Sequence, residues 1–183
     1  TAITRIMRYL YEKGEYVPQN ENSFVPALAN RIDRITTGII IAAKNAQALR
    51  ILNEKIKNRE LRKLYLCVCI GEFGEKSGIL TGFLEKNKKN NLVFISKNKS
   101  AKSKEISTAY KVLDYNNGLS LVEAELLTGR THQIRAHFAS VGHPLLGDGK
   151  YGRNAINKKY GSYKKQFLCS YKLVFDFKSD AGE

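Results

Sequence analysis

A carboxylate flanked by arginines is the first feature of this sequence that could perform chemistry. Asp33 stands between Arg31 and Arg34, directly before an apolar, β-branched stretch. Arginine neighbours favour the ionised form of a carboxylate, which is then available as a nucleophile or as a charged anchor. Such a cluster is more often a structural salt bridge at the entrance of a strand. Taken alone, it leaves both interpretations open.

A second polar group occupies residues 128–137, whose sequence is T-G-R-T-H-Q-I-R-A-H. Arg130, His132 and Arg135 lie at a predicted helix start, where backbone N–H groups and guanidinium groups favour a bound phosphate. His132 and His137 fall on different faces of that helix, which argues against joint ligation of a metal ion. We expect no acidic residue nearby to complete this site.

Tyr65 is the third candidate. It follows Arg62 and Lys63 on a predicted strand, and a tyrosine can stack on a nucleobase while basic neighbours hold the phosphates. Packing of Tyr65 in the core is the alternative.

Residues 142–152 form a glycine-rich stretch, G-H-P-L-L-G-D-G-K-Y-G. It lacks the strand-to-helix context of a nucleotide-binding loop. We therefore interpret it as a shaped surface loop.

The elements that must position these residues alternate between helical and extended patterns. Apolar spacing predicts helices over residues 2–12 and 131–141 and a third helix after an N-cap at Asn45. In the second of these, Ile134, Phe138 and Val141 should face the core, and Gly142 should follow its end. Strands are predicted over residues 37–43, 64–70, 79–84, 92–96, 107–113, 119–127 and 167–177, the middle ones as an antiparallel meander with a hairpin turn at residues 116–118.

The composition favours a nucleic acid as the partner. Lys and Arg number 31 and Asp and Glu 17, a formal charge of +14, which attracts polyanions through phosphate contacts. An acidic membrane surface, or basicity without a specific partner, is the alternative. The longest apolar run, residues 38–43, is far shorter than the roughly 20 residues that span a bilayer. Three cysteines without a secretory leader fit a reducing cytoplasm.

Taken together and in this order, the motifs resemble those of the RluA-type family of pseudouridine synthases. Members carry H-R-L-D-R-x-T-S-G, then K-x-Y, T-G-R-T-H-Q-I-R-x-H and G-H-P-I-x-G-D-x-x-Y-G, and the match here spans about residues 29–152. Asn30 stands where the family usually has His. The family's opening strand with its K-P-x-G motif, and the small S4 RNA-binding domain of many members, are not found in this sequence.

The resemblance implies an α+β pseudouridine synthase fold, in which a mixed, largely antiparallel sheet flanked by helices and loops surrounds a central basic cleft. Residues 1–183 would form its catalytic domain. The implied enzyme isomerises specific uridines in RNA without a metal or cofactor, as a monomer that does not bind membranes. Large-subunit ribosomal RNA is the expected substrate, with transfer RNA as the alternative. A non-catalytic RNA-binding relative is a further alternative, but a pure binder gains nothing from a carboxylate facing phosphates.

The resemblance also assigns roles to individual residues. Asp33 falls on the catalytic nucleophile, Tyr65 on the residue that stacks on the flipped uracil and can take up its C5 proton, and Arg135 on the basic partner of the nucleophile. The residues expected to contact RNA are Arg31, which helps to displace the target base, Arg34, Arg62, Lys63, Arg130 and His132.

Overall fold

The computed structural model describes residues 1–19, 24–87 and 89–175. These residues form two compact units. The smaller comprises residues 1–32 and 39–61 together with Phe175, and the larger comprises residues 33–38 and 62–174. Among the described residues, no helix is long and apolar enough to cross a membrane.

The smaller unit contains two helices and a two-stranded sheet. Helix α1 covers Ala2–Glu12 as predicted, and α2 covers Ala46–Lys57. The predicted N-cap is confirmed, because the Asn45 side chain accepts a hydrogen bond from the N–H of Ala48 at 2.7 Å. Strand β1 (Ala27–Leu28) pairs antiparallel with β3 (Ala42–Ala43).

The prediction of one strand over residues 37–43 is wrong. Thr37 and Gly38 form β2, which belongs to the sheet of the larger unit. Ala42 and Ala43 form β3, which belongs to the two-stranded sheet of the smaller unit. Gly38 has a φ of +114°, and a Cβ there would collide with the carbonyl of Ser170. This close approach, possible only for glycine, ends the first strand before the β-branched residues that suggested a continuous one.

The larger unit is built on a seven-stranded sheet with the order β2-β9-β4-β8-β7-β5-β6. The short β2 pairs in parallel with β9, and the ladders from β4 through β8, β7 and β5 to β6 are antiparallel. The predicted mixed, largely antiparallel sheet is therefore confirmed. The predicted meander is wrong, because β7 pairs with β5 and not with β6, which leaves β6 at the edge of the sheet. The strands are β4 (Leu61–Ile70), β5 (Ser77–Asn87), β6 (Leu92–Ser96), β7 (Lys104–Asn116), β8 (Leu119–Leu126) and β9 (Leu168–Phe175); the last two residues of the predicted strand 167–177 lie outside the described residues.

The predicted hairpin turn joins β7 to β8. Asn117 and Gly118 have φ values of +51° and +78°. Two successive residues with positive φ match the twist of the flanking strands, which explains the Asn-Gly pair.

Helix α3 (Gln133–Ser140) packs on one face of the sheet. Ala136 belongs to a buried cluster with Leu84, Val93 and Ile106 from the strands below it. Ile134 and Phe138 are buried as predicted. Val141 is exposed, contrary to the prediction, because the helix ends one residue before it and Val141 caps the end. Gly142 follows with a φ of +90°, as expected for the residue after the cap.

A seven-residue helix, α4 (Asn154–Tyr160), follows the glycine-rich loop. It was not predicted, because its sequence is polar and lacks an apolar stripe. Tertiary hydrogen bonds hold it instead: the buried side chain of Asn157 accepts from the N–H of Gly147 at 3.0 Å and donates to the carbonyl of Asp148 at 3.4 Å.

Candidate active site

Asp33 lies at the first position of a tight turn that leads into β2. The N–H of Thr36 donates to the Asp33 carbonyl at 2.9 Å, and Gln166 donates to the Thr36 hydroxyl at 3.4 Å. The pairing of Thr37 with Cys169 anchors the end of this turn on the sheet. The turn therefore holds the Asp33 backbone in place. The Asp33 side chain keeps 23% of its surface exposed, so its carboxylate remains accessible.

Arg135 joins Asp33 to a second carboxylate. Its Nη1 lies 3.4 Å from Asp33 Oδ2, while its Nε and Nη2 donate to the two oxygens of Asp148 at 2.7 and 2.9 Å. The guanidinium projects from α3 and is only 7% exposed. The buried Arg135 guanidinium thus faces two carboxylates. It forms a bidentate salt bridge with Asp148 and a single, longer contact with Asp33.

Asp148 corrects two predictions. The glycine-rich stretch is not simply a surface loop, since Leu145, Leu146 and Asp148 are buried, and an acidic residue does complete the site. Asp148 Oδ1 also accepts the N–H groups of Lys150 and Tyr151 at 2.8 and 3.1 Å. The sequence offered one signal for this burial, the two leucines directly before the Gly-Asp-Gly turn, but glycines on both sides suggested exposure.

The electrostatics keep this ion pair charged. Burial acts to lower the pKa of Arg135, but its hydrogen bonds to Asp148 and the negative charges of Asp148 and Asp33 raise it overall. Burial acts to raise the pKa of Asp148, but the Arg135 hydrogen bonds and charge, with two backbone N–H groups, lower it overall. Asp148 therefore makes the stronger, two-point contact with Arg135, and Asp33 makes the longer, single one.

Tyr151 supports the same cation from another side. Its ring centroid lies 5.1 Å from the Arg135 Cζ, a cation–π distance. Its hydroxyl accepts the N–H of Val93 at 3.1 Å and lies 2.8 Å from His132 Nδ1. The Tyr151 hydroxyl has one proton to donate, and we assign that proton to the bond with His132 Nδ1, which leaves the imidazole proton on Nε2. The sequence did not single out Tyr151 as a site residue.

His132 is held neutral and in a strained conformation. Burial, followed by the charges of Arg135 and Lys150, lowers its pKa, against the opposing effect of Asp33 and Asp148. Its φ of +53° is uncommon for a residue other than glycine. Strain of this kind clusters at functional sites.

Gln133 fixes the loop that precedes α3. Its Oε1 accepts the Thr128 hydroxyl and the N–H of Arg130 at 2.9 and 3.1 Å. Its Nε2 donates to the Ser107 carbonyl and the Thr108 hydroxyl, both at 3.0 Å. The side chain is buried and fully bonded, so the exposed Arg130 is presented on a rigid loop.

Tyr65 lies on β4 and is buried. Burial raises its pKa, the Ser170 hydroxyl opposes this shift, and the negative charge of Asp33 adds to it. Tyr65 therefore lies within electrostatic range of Asp33, while its burial also fits the alternative of packing in the core.

The two basic residues near Tyr65 on β4 lie on different faces of the strand. Lys63, two residues before it, lies on the same face of the strand, and burial lowers the Lys63 pKa. Arg62 lies on the opposite face, where its guanidinium donates to both oxygens of Glu125 at 2.7 and 2.8 Å. Arg34 in the larger unit and Arg31 in the smaller unit are exposed.

Over the described ranges, no three His, Cys, Asp or Glu side chains come together in a way that could hold a metal ion. The arrangement is instead an accessible carboxylate, a buried cation that touches it, and a neutral imidazole and two tyrosines around them. Such a group suits nucleophilic chemistry or base catalysis on a polyanion.

Comparisons with known proteins bear on this arrangement. A family model described as RNA pseudouridylate synthase matches residues 5–140. An uncharacterised RNA pseudouridine synthase of Mycoplasma genitalium is 37% identical over 158 residues, covering 85% of this chain and 49% of that protein. Ribosomal large subunit pseudouridine synthase D of Borreliella burgdorferi is 36% identical over 160 residues, covering 86% of this chain and 47% of that protein. The chain therefore spans about half the length of these relatives.

The fold has solved neighbours. The structure of human RNA pseudouridylate synthase domain containing 1 aligns with a TM-score of 0.74 over 86% of this chain and 66% of that one, at 24% identity. At this level of identity the similarity establishes the fold alone.

Proposed function

Because the chain belongs to the RNA pseudouridylate synthase family, and to its RluA type as the motifs predicted, we propose that it converts specific uridines in RNA to pseudouridine with Asp33 as the nucleophile. One observation carries the assignment of Asp33. Its carboxylate is partly exposed and only loosely paired, 3.4 Å from an Arg135 that Asp148 already holds. Of the two ion pairs that Arg135 forms, the one with Asp148 is shorter and more buried, as expected for a structural salt bridge. The one with Asp33 lacks both features.

The reaction needs a nucleophile and a way to move a proton. The N1–C1′ bond of uridine breaks, the base turns, and a C5–C1′ bond forms while C5 loses a proton and N1 gains one. Atoms and electrons balance within the substrate, so the isomerisation is redox-neutral. Asp33 would attack C1′ or C6, or promote loss of the C2′ proton, and each route requires an ionised, accessible carboxylate.

The residues around Asp33 would then have distinct tasks. Arg135 orients the carboxylate and stabilises charge that develops near it. Tyr65 stacks on the uracil, which must leave the RNA stack to be reached, and takes up the C5 proton. Arg130, Lys63 and His132 contact the RNA around the flipped nucleotide.

Large-subunit ribosomal RNA is the proposed substrate. Support comes from similar proteins named ribosomal large subunit pseudouridine synthase D and C, at 36% and 33% identity. The strongly basic composition, +14 overall, suits a large polyanionic substrate. We propose that the chain acts on it as a monomer.

The decisive experiment is pseudouridine formation in vitro. Unmodified large-subunit ribosomal RNA and unmodified transfer RNA are each incubated with the purified chain, and pseudouridines are mapped by mass spectrometry. We expect product in the ribosomal RNA, and none with Asp33→Asn or Asp33→Ala. RNA affinity of these variants should stay within about tenfold of wild type, because phosphate contacts dominate it.

Asp114→Asn provides the matched control, since Asp114 is an exposed aspartate on β7. It should behave as wild type. Turnover by either Asp33 variant would contradict the nucleophile assignment. Tight RNA binding without product by the wild-type chain would favour a non-catalytic RNA-binding protein, and product in transfer RNA alone would change the substrate.

A further inference from the structure

The sheet carries a groove on the face turned away from α3, at the β6 edge. Phe94 and Phe83 form its floor as diagonal neighbours on the β5–β6 ladder, and its volume is about 420 Å³. Val93, next to Phe94, is buried in the cluster beneath α3. Side chains alternate along a strand, so Phe94 lies on the opposite face. The groove is therefore separate from the group around Asp33.

The floor of the groove is aromatic and open. Phe94 is 56% exposed, an unfavourable arrangement for a large apolar side chain on an edge strand. Asn87, Asn98 and Ser96 contribute polar lining. A groove of this volume falls within the range of small-ligand sites, about 300–1,000 Å³, and combines a π-face with amide and hydroxyl groups.

The wall of the groove is ordered by its own hydrogen bonds. The Ser100 hydroxyl donates to Glu85 Oε2 at 2.9 Å and ties the loop to β5. The Ser100 N–H donates to the Ser103 hydroxyl at 2.8 Å, and the N–H of Asn98 donates to the Ser96 hydroxyl at 3.0 Å. The loop is thus shaped before anything binds, which lowers the entropic cost of binding.

Several lysines lie close in sequence to the residues that line this groove. Lys97, Lys99 and Lys102 each adjoin in sequence a residue that lines it. Between residues 83 and 105 the sequence has two acidic residues, Glu85 and Glu105. Six lysines of this region are exposed, and within the described part of the chain none of them forms an ion pair: Lys86, Lys89, Lys97, Lys99, Lys102 and Lys104.

We propose that this groove binds an unpaired nucleotide of the RNA substrate, with its base stacked on Phe94 and the flanking phosphates on Lys97, Lys99 and Lys102. Aromatic platforms with basic surroundings bind single strands in this way, largely without sequence preference. Lysines on an edge strand can also serve only to prevent strand pairing, but that role does not explain an exposed aromatic floor. The inference rests on the proposed function for the identity of its ligand as RNA.

Strand β6 connects the groove to the catalytic group. The N–H of Val93 donates to the Tyr151 hydroxyl, and Tyr151 packs on Arg135. Phe94 is the next residue along β6. A single strand that passes round this edge of the sheet can therefore occupy the groove while a uridine further along the same RNA reaches Asp33.

The test measures binding of a fluorescently labelled single-stranded RNA of about 12 nucleotides, within the site sizes of such surfaces, made of adenine and cytosine only. It lacks uridine, so it reports on the groove without a reactive base. Phe94→Ala should raise the Kd at least about fivefold, the low end of the effect of losing one stacking ring. Phe94→Tyr should stay within about twofold because it keeps the ring.

Ile79→Ala is the matched control. Ile79 is 62% exposed on β5, on the same face as Phe83 because the two residues are four apart. It should bind as wild type. Replacing Lys97, Lys99 and Lys102 together with Gln should lower the slope of log K against log salt by about 2, given about 0.7 per phosphate for a single strand.

Unchanged affinity in Phe94→Ala, or an equal loss in Ile79→Ala, would overturn the proposal. So would a Phe94→Ala variant that alters self-association in sedimentation velocity and leaves RNA affinity intact, since the groove would then bind a second copy. The pseudouridine assay separates the two proposals. If the wild-type chain forms pseudouridine and Phe94→Ala leaves RNA affinity unchanged, only the proposal for the groove is rejected. If Phe94→Ala weakens RNA binding but the wild-type chain forms no pseudouridine, the groove is supported and the catalytic assignment is rejected.

Discussion

Arg135 donates two hydrogen bonds to Asp148, at 2.7 and 2.9 Å, while its third nitrogen lies 3.4 Å from Asp33. Asp148 is completely buried and also accepts two backbone N–H groups of its own loop. The glycine-rich loop thus determines where the Arg135 guanidinium lies and, through it, how Asp33 is presented.

Replacing Asp148 should damage both stability and activity. Asp148→Asn leaves the Arg135 charge buried without its main partner, which costs about 3–5 kcal/mol of unfolding free energy. A guanidinium displaced by about 1 Å should slow pseudouridine formation on the order of 100-fold. Chemical denaturation and single-turnover assays measure the two effects, with the exposed Asp114→Asn as control.

A double variant separates the structural role of this pair from its catalytic role. Arg135→Met combined with Asp148→Leu removes both buried charges, and apolar replacement of a buried ion pair is often neutral for stability. We expect the stability to recover relative to Asp148→Asn while activity stays lost. Recovery of activity as well would show that Arg135 does not act on Asp33.

The pair also shows which parts of the site a sequence can predict. Helix α1, the Asn45 cap and the turn at Asn117 and Gly118 were predicted because neighbouring residues determine them. Asp33, Tyr65 and Arg135 were predicted as site residues through motifs, and the structure brings the side chains of Asp33 and Arg135 within 3.4 Å of each other. Asp148 was missed because its burial depends on a partner in another element, and glycines beside it are typical of exposed turns.

The split of the strand predicted at residues 37–43 has the same kind of cause. Nothing local distinguishes Gly38 from a strand glycine, since the Ser170 backbone that leaves no room for a Cβ there belongs to β9, a distant segment of the chain. Likewise, α4 is held by tertiary hydrogen bonds of Asn157. These two features are set by contacts between distant segments, which the local sequence does not reveal.

Tyr151→Phe should release the tautomer of His132. In the wild type, ¹⁵N NMR at neutral pH should show His132 unprotonated at Nδ1 and protonated at Nε2, if the assignment of Tyr151 as the donor to Nδ1, 2.8 Å away, is correct. The variant should show mixed tautomers and a rate reduced by no more than about 100-fold, the low end of general acid–base effects. The exposed Tyr163→Phe should change neither quantity.

The lowered pKa of His132 also leads us to expect a particular dependence of the activity on pH. A lowered pKa means that His132 stays neutral as pH falls through the ordinary value of about 6.5, so activity that depends on it should persist there and decline only at lower pH. Protonation places a proton on Nδ1 and breaks the bond from Tyr151. A titration of His132 at or above 6.5 in the NMR spectrum would contradict this prediction.

Tyr65 can be tested by removing its hydroxyl alone. Tyr65→Phe keeps the ring, so RNA affinity should change less than about twofold, but loss of a general base should slow the reaction about 100-fold or more. A base acts in its deprotonated form, and the Tyr65 pKa is raised, so the wild-type rate should increase with pH into the alkaline range. A wild-type rate in Tyr65→Phe would limit Tyr65 to stacking.

Two arginines predicted to contact RNA should differ in their effect. Arg130 is exposed on a rigid loop, and Arg130→Ala should lower the salt slope of RNA binding by about 0.7–1. The Arg62 guanidinium is held by Glu125 through two hydrogen bonds. Arg62→Ala should therefore change the slope by less than half as much, and an equal effect would show that RNA displaces Glu125.

Gly147 offers a test of how the loop places Asp148. Its φ is +76°, and a Cβ there would collide with the carbonyl of Lys165. Gly142 also has a positive φ, +90°, but a Cβ there would meet nothing within 4 Å. Comparing Gly147→Ala with Gly142→Ala thus separates steric collision from backbone strain alone.

Gly142→Ala should lower the free energy of unfolding by about 1–2 kcal/mol, the cost of placing a residue with a side chain in the left-handed conformation. Its activity should be unchanged. Gly147→Ala should lose more stability and also activity, because the backbone shift that relieves the collision moves the adjacent Asp148 and loosens Arg135. Thermal unfolding and single-turnover rates measure both. If Gly147→Ala lost stability but retained the wild-type rate under folded conditions, the position of Asp148 would not control the chemistry at Asp33.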